Sequence, residues 1–335
     1  MKIGKQSFIF NNVYLGETGV VVGPKEKLGP LGMYYDYAYE DLYCKNKTWE
    51  KSEMQLLKDS IRYCLSKNNL GIQSIDAYVG GDLNNQIVIG NYVLRDYDIP
   101  YLGIFGACST SVEGIIVGGN LLEANYGQNI LVGTSSHNAT SEKQFRYPTE
   151  YGGQKPDSLT FTVTAAGVAL LTKQKTSLKV TGGTIGRTID GKIKDALDMG
   201  RAMAPAAFNT IHQHFQDFNS TPEDYDLIVT GDLSYYGKDM VVKLFSEVNI
   251  DLKGGYDDCG LLIYDREKQE VFAGGSGCGC CAAVTYSYLL SKLKDGTYKK
   301  ILVCATGALL NPIMIAQKES IPSICHAVII ERMDG

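Results

Sequence analysis

Apolar positions at 3.6-residue spacing mark one stretch of the chain above the rest, Tyr101–Tyr126. An apolar run, Tyr101–Phe105, opens it, and a turn of small residues follows, Gly106-Ala107-Cys108-Ser109-Thr110-Ser111. Val112, Ile115, Ile116, Gly119 and Leu122 then form one helical stripe, with Val117, Leu121 and Ala124 on the opposite face. Glu113 is the only charge between Cys108 and Leu122. A helix apolar on every face is buried. Gly114, Gly118 and Gly119 each weaken it, which makes sense where another backbone packs closely.

The same reading places other elements. Thr48 caps a helix striped by Met54, Leu57, Ile61 and Leu65, and Ile75–Val79 is a strand that ends in Gly-Asp-Leu. A helix covers 84–97, and the strand Asn129–Gly133 runs into Thr-Ser-Ser-His-Asn. Residues 139–159 lack periodicity and include FRYPTEYGGQKP (145–156), a long loop of the kind found at functional sites and interfaces. Strands follow at 161–173 and Leu178–Thr181. A helix over 203–218 is striped by Phe208, Ile211, Phe215 and Phe218.

The pattern then repeats. IDAYVGGDL (75–83) returns as YDLIVTGDL (225–233), and GGSGCGCCAAVTYSYLLSKL (274–293) copies the small turn and helix. YKKILVCATGA (298–308) copies YGQNILVGTSS (126–136), and SICHAVIIER (323–332) copies TVTAAGVALLTK (162–173). Four units recurring in one order are an internal duplication, with halves drawn at 1–177 and 178–335. Strands alternating with helices predict an α/β fold with largely parallel strands. The central helices, 109–125 and 281–293, are expected to lie buried side by side between the halves.

Composition narrows the function. The 335 residues are 44% hydrophobic and 21% charged, with net charge −5, an ordinary globule without the basic stripe of a nucleic-acid binder. No apolar run reaches membrane-span length, and MKIGKQSFIFNN lacks a signal-peptide core, so a cytoplasmic chain with only peripheral membrane contact is expected. Nine scattered cysteines fit reduced thiols. Cys278, Cys280 and Cys281 lack a second pair at zinc spacing, so no metal and no cofactor is assigned.

Candidate chemistry gathers at the mouth of the first central helix. Unpaired N–H groups there favour an anion or a thiolate beside Cys108 and Ser109. Asp82 and His137 each end a strand at that edge, and such ends converge on one crevice. Asp82, Cys108, Ser109 and His137 are therefore expected around one pocket, with a turn-capping role left open for Asp82. His212 and His214 are read as exposed, and His326 as structural.

A duplicated α/β chain with CSTS at a buried helix resembles the thiolase-like superfamily, whose fold layers α/β/α/β/α. GPKEKLGPLG (23–32), FGACSTS (105–111), SSHNAT (135–140), QFRYPTEYGGQKP (144–156), AMAPAA (202–207) and GGSGCGC (274–280) look like a stage V sporulation family within it. That resemblance implies a protein that binds pyridine-2,6-dicarboxylic acid (dipicolinic acid), with or without calcium. It would support loading of the acid into the developing spore, peripheral on the spore inner membrane beside membrane proteins of the same operon. A homodimer is compatible with it. Thiolase-like enzymes take a catalytic His or Asn from the second half, whereas the matching turns here are Thr230-Gly231-Asp232-Leu233 and Gly274-Gly275-Ser276-Gly277. A binding protein without catalysis is the first reading. An acyl-thioester transferase with Cys108 as nucleophile and His137 as base is the second, and a scaffold for a membrane complex the third. For a dicarboxylate ligand, His137 is the expected cation.

Overall fold

The computed structural model describes residues 1–145 and 154–333, so most of the 145–156 segment lies outside the described residues. Ten strands make the main path of a 14-stranded sheet. In chain order they are β1 (Tyr14–Val22), β2 (Ala77–Asp82), β3 (Tyr101–Gly103), β4 (Asn129–Ser136), β5 (Ala165–Thr172), β6 (Leu178–Thr184), β7 (Leu227–Thr230), β8 (Tyr256–Asp258), β9 (Lys300–Ala308) and β10 (Pro322–Arg332). Their spatial order is β3-β2-β4-β5-β1-β6-β10-β9-β7-β8. Each strand of the first five has its counterpart, five numbers on, at the mirrored place. The pairings β2–β3, β2–β4, β7–β8 and β7–β9 are parallel. β5 and β10 pair antiparallel to their neighbours, since they return from β4 and β9 without a sheet-crossing helix.

The helices that matter here are α1 (Trp49–Lys67), α2 (Val88–Leu94), α3 (Thr110–Glu123), α4 (Asn138–Phe145), α5 (Met199–Phe218), α6 (Ser234–Glu247) and α7 (Cys278–Val284), which continues to Lys294 through a π-turn. α1 covers β1, β4 and β5 from outside, and α5 covers β6, β9 and β10. α3 packs on β2, β4 and β5 and also on β9 and β10, while α7 packs on β1, β4 and β5 and touches α3. The order of layers is thus α/β/α/β/α, with the two central helices buried between strands of both halves.

Packing corrects several local expectations. The helical glycines of α3 admit side chains more than backbone: a Cβ at Gly118 would meet Val132 and Leu171, and one at Gly119 the Phe10 ring. Thr48 holds the N-cap position of α1, but its side chain makes no capping bond. α4 replaces the first part of the expected loop after Ala139. His214 is fully buried, bridging the Thr184 hydroxyl at 2.7 Å and Tyr225 Oη at 2.7 Å, and burial pushes its pKa down to about 3. Two hydroxyl partners make a histidine tolerable in the core. Among the described residues no helix is long and apolar enough to cross a membrane.

Candidate functional site

The chain leaves β3 through Gly106 and enters α3 by a single 3₁₀ turn, Ala107–Ser109. Ala107 takes a left-handed φ of 49°, uncommon for a residue with a side chain, and this sets Cys108 at the helix mouth. The turn backs onto β9, where a Cβ at Gly307 would fall 2.3 Å from the Gly106 carbonyl oxygen. Only glycine allows that approach between the two halves.

The Cys108 thiol is buried beside the Asp232 carboxylate. Asp232 stands at the end of β7, where its Oδ2 accepts the Gly277 N–H at 3.0 Å and its Oδ1 the Thr306 hydroxyl at 2.7 Å. Burial pushes Asp232 up to about 6, although its donors pull the other way. Burial, and then the charge of Asp232, drives the thiol well above its ordinary range. An activated cysteine needs the opposite surroundings, a nearby cation or base that favours the thiolate. Cys108 is therefore held as the neutral thiol.

Phe105, Ala107 and Cys108 from the first half and Ser276, Gly277 and Ala308 from the second enclose a chamber of about 40 Å³. That is room for roughly three waters. Ser141 of α4 also faces it, and its hydroxyl is buried with no hydrogen-bond partner among the described residues. Leu83, Phe105, Phe145 and Leu310 separate the chamber from an outer groove of about 490 Å³. Neither cavity is lined by a Lys, Arg or His among the described residues.

Of the four residues expected around one pocket, Cys108 alone lines the chamber. Ser109 lies beside it, buried, with its hydroxyl donating to the Gly106 carbonyl at 2.7 Å. Asp82 accepts the N–H groups of Asn84 and Gly90, both at 2.9 Å, which is the turn-capping alternative. His137 receives the Ala139 N–H on Nδ1 at 3.1 Å, so its Nε2–H donates to the Leu42 carbonyl at 2.8 Å. Burial lowers its pKa, and the ring packs against Trp49. Both ring nitrogens are occupied, so His137 supplies neither a base to Cys108 nor a cation to the chamber. The strand edge is shared, but the faces differ: Asp82 and His137 turn toward α1, and Cys108 toward the space between the halves.

The sequence reading missed Asp232, Ser141 and Phe145. The repeated Gly-Asp-Leu flagged Asp232, but the recurrence reads equally as a second capped turn. Nothing in NATSEKQF, polar and without a stripe, announces α4 as a chamber wall.

A family model described as stage V sporulation protein AD matches residues 4–331. The stage V sporulation protein AD of Bacillus subtilis (strain 168) is 49% identical over 333 residues, which is 99% of this chain and 98% of that protein. This chain belongs to the stage V sporulation protein AD family. Solved structures resemble this family member in fold at low identity. Cerulenin-bound OleA of Xanthomonas campestris has a TM-score of 0.63 at 15% identity, covering 97% of this chain and 98% of that one. The 3-oxoacyl-[acyl-carrier-protein] synthase III of Aquifex aeolicus VF5 has 0.58 at 13%, covering 95% and 99%. At such identities the likeness concerns the fold alone. The sporulation family member has the thiolase fold, and in this chain a carboxylate faces the cysteine at the helix mouth.

Proposed function

We propose that this chain binds dipicolinic acid at the Cys108 chamber without transforming it, and so supports uptake of the acid into the developing spore. The observation that carries the non-catalytic part is the burial of Cys108 beside the Asp232 carboxylate, which keeps the thiol protonated where an acyl-transfer enzyme needs a thiolate. Membership in a sporulation family supports the ligand. The flat ring suits the apolar mouth between Phe105, Phe145 and Leu310, and the unpartnered Ser141 hydroxyl offers a donor to one carboxyl group. With no cationic side chain lining the chamber among the described residues, the ligand relies on neutral donors, on its own protons, or on an accompanying calcium ion. Membrane proteins of the same sporulation operon are the partners in this reading, with the chain peripheral on the spore inner membrane.

Calorimetric titration with dipicolinate, with and without calcium, tests it. Binding is expected in at least one arm and should survive Cys108→Ser, because a serine hydroxyl fits the same space beside Asp232. No heat in either arm would leave the scaffold reading, and steady acyl-thioester turnover that Cys108→Ser abolishes would replace the proposal with the transferase reading.

A further inference from the structure

The chamber is too small for a ring with two carboxyl groups unless its mouth opens. α4 is the element to move, since it carries both Ser141 and Phe145. On its outer side α4 is tied by the solvent-exposed Lys143–Glu50 ion pair, a kind of contact that contributes little, and by Gln144, which bonds Asn85 and the Leu83 carbonyl. Its inner tie is Glu53, fully buried on α1.

Glu53 reaches three segments that build the chamber. Its Oε2 lies 2.7 Å from the Thr140 hydroxyl of α4 and 3.1 Å from Asn84 Nδ2, beside Leu83. Its Oε1 accepts the Ser135 hydroxyl at 3.0 Å, and the Ser135 carbonyl in turn takes the Cys278 thiol at 2.9 Å. Thr140 carries one hydroxyl proton but faces two acceptors, Glu53 and the His137 carbonyl at 3.0 Å. A proton on Glu53 resolves the conflict: the carboxyl donates to Thr140, and Thr140 donates to His137.

We propose that Glu53, in its protonated form, is a positioning residue that latches α4 down over the chamber, and that losing its proton frees α4 to open the mouth. That the chamber it guards holds a ligand rests on the function proposed above. The surroundings favour the protonated form. Asp82 faces Glu53 from β2 and Cys278 from α7, while His137, Glu50 and Lys143 lie further out. No cationic side chain pairs with Glu53 among the described residues. Burial first, and then the charge of Asp82, push it up to about 8.

Amide hydrogen exchange of residues 141–145 between pH 7 and 9.5, corrected for the intrinsic rate, tests the latch without any ligand. Wild-type protection should fall by up to about tenfold per pH unit above 8, the slope of a single proton. In Glu53→Gln, whose amide keeps a donor at all pH values, protection should stop depending on pH. Glu53→Ala should lose protection throughout. Parallel profiles for wild type and Glu53→Gln would overturn the latch, and this pair decides even if Glu53→Ala does not fold. In a second arm, dipicolinate affinity should strengthen by up to about tenfold between pH 8 and 9 in wild type, as the open fraction grows, and stay level in Glu53→Gln. Absence of dipicolinate binding in wild type would remove the ligand assignment and leave the exchange result to decide the latch.

Discussion

Gly-Asp-Leu occurs twice, at the ends of the matching strands β2 and β7, and the two aspartates do different work. Asp82 turns toward α1 and holds the N–H groups of Asn84 and Gly90 at the start of α2. Asp232 turns inward to Cys108, Gly277 and Thr306. The second half still needs its helix start held, and Asp258 does this from β8, accepting the N–H groups of Leu233 and Ser234 at 2.9 and 2.8 Å. A neighbour has taken over the capping, and the aspartate of the repeat is free to face the chamber.

The outer helices show what made the exchange possible. α1 begins at Trp49 and α5 at Met199, so Met203 stands in α5 where Glu53 stands in α1. In the first half a buried glutamate takes the Ser135 hydroxyl. In the second a buried methionine cannot accept one, and Thr306, the counterpart of Ser135, bonds Asp232 instead. The cysteines follow the same exchange. Cys108 and Cys278 occupy equivalent turns, and each faces the opposite half, Cys108 beside Asp232 and Cys278 donating to the Ser135 carbonyl.

The comparison breaks most decisively at Met203. Met203→Glu puts a carboxyl among Ala202, Leu233 and their apolar neighbours, where no partner awaits it. A cost of roughly 3 kcal/mol or more is expected, visible as a thermal midpoint several degrees lower. A midpoint equal to wild type would mean that the second half can host the Glu53 arrangement after all. A smaller effect is expected from Asp232→Asn. Without the anion the thiol ionises more readily, and alkylation of Cys108 at fixed pH should quicken by about tenfold per pKa unit recovered. An unchanged rate, followed by intact mass, would detach the carboxylate from the thiol. The smallest is Asp82→Asn, which keeps an acceptor for the cap and should cost about 1 kcal/mol or less. It should leave Cys108 alkylation untouched, and any acceleration would place Asp82 in the chamber with Asp232.

The architecture was legible because hydrophobic spacing reports which face an element buries. The repeated units, the burial of both central helices and the position of Cys108 at a helix mouth all follow from that signal. The direction of a polar side chain at a strand end does not. Asp82 and Asp232 sit in the same three-residue motif, and only the cap supplied by Asp258 and the methionine at 203 distinguish them. Glu53 reads as a surface charge in WEKSEMQ, because its partners Asn84, Ser135 and Thr140 are distant in the chain. His214 misleads in the same way, as Thr184 and Tyr225 are what make its burial acceptable.

The placing of Asp232 beside Cys108 also has a timetable. A ribosome completes Cys108 more than a hundred residues before it makes Asp232, and Ser276, Gly277 and Gly307 come later still. At synthesis rates of roughly 5–20 residues per second, the nascent chain carries that thiol for several seconds or longer without the carboxylate that keeps it protonated. The cysteine is quiet in the finished protein and most open to oxidants while the protein is being made.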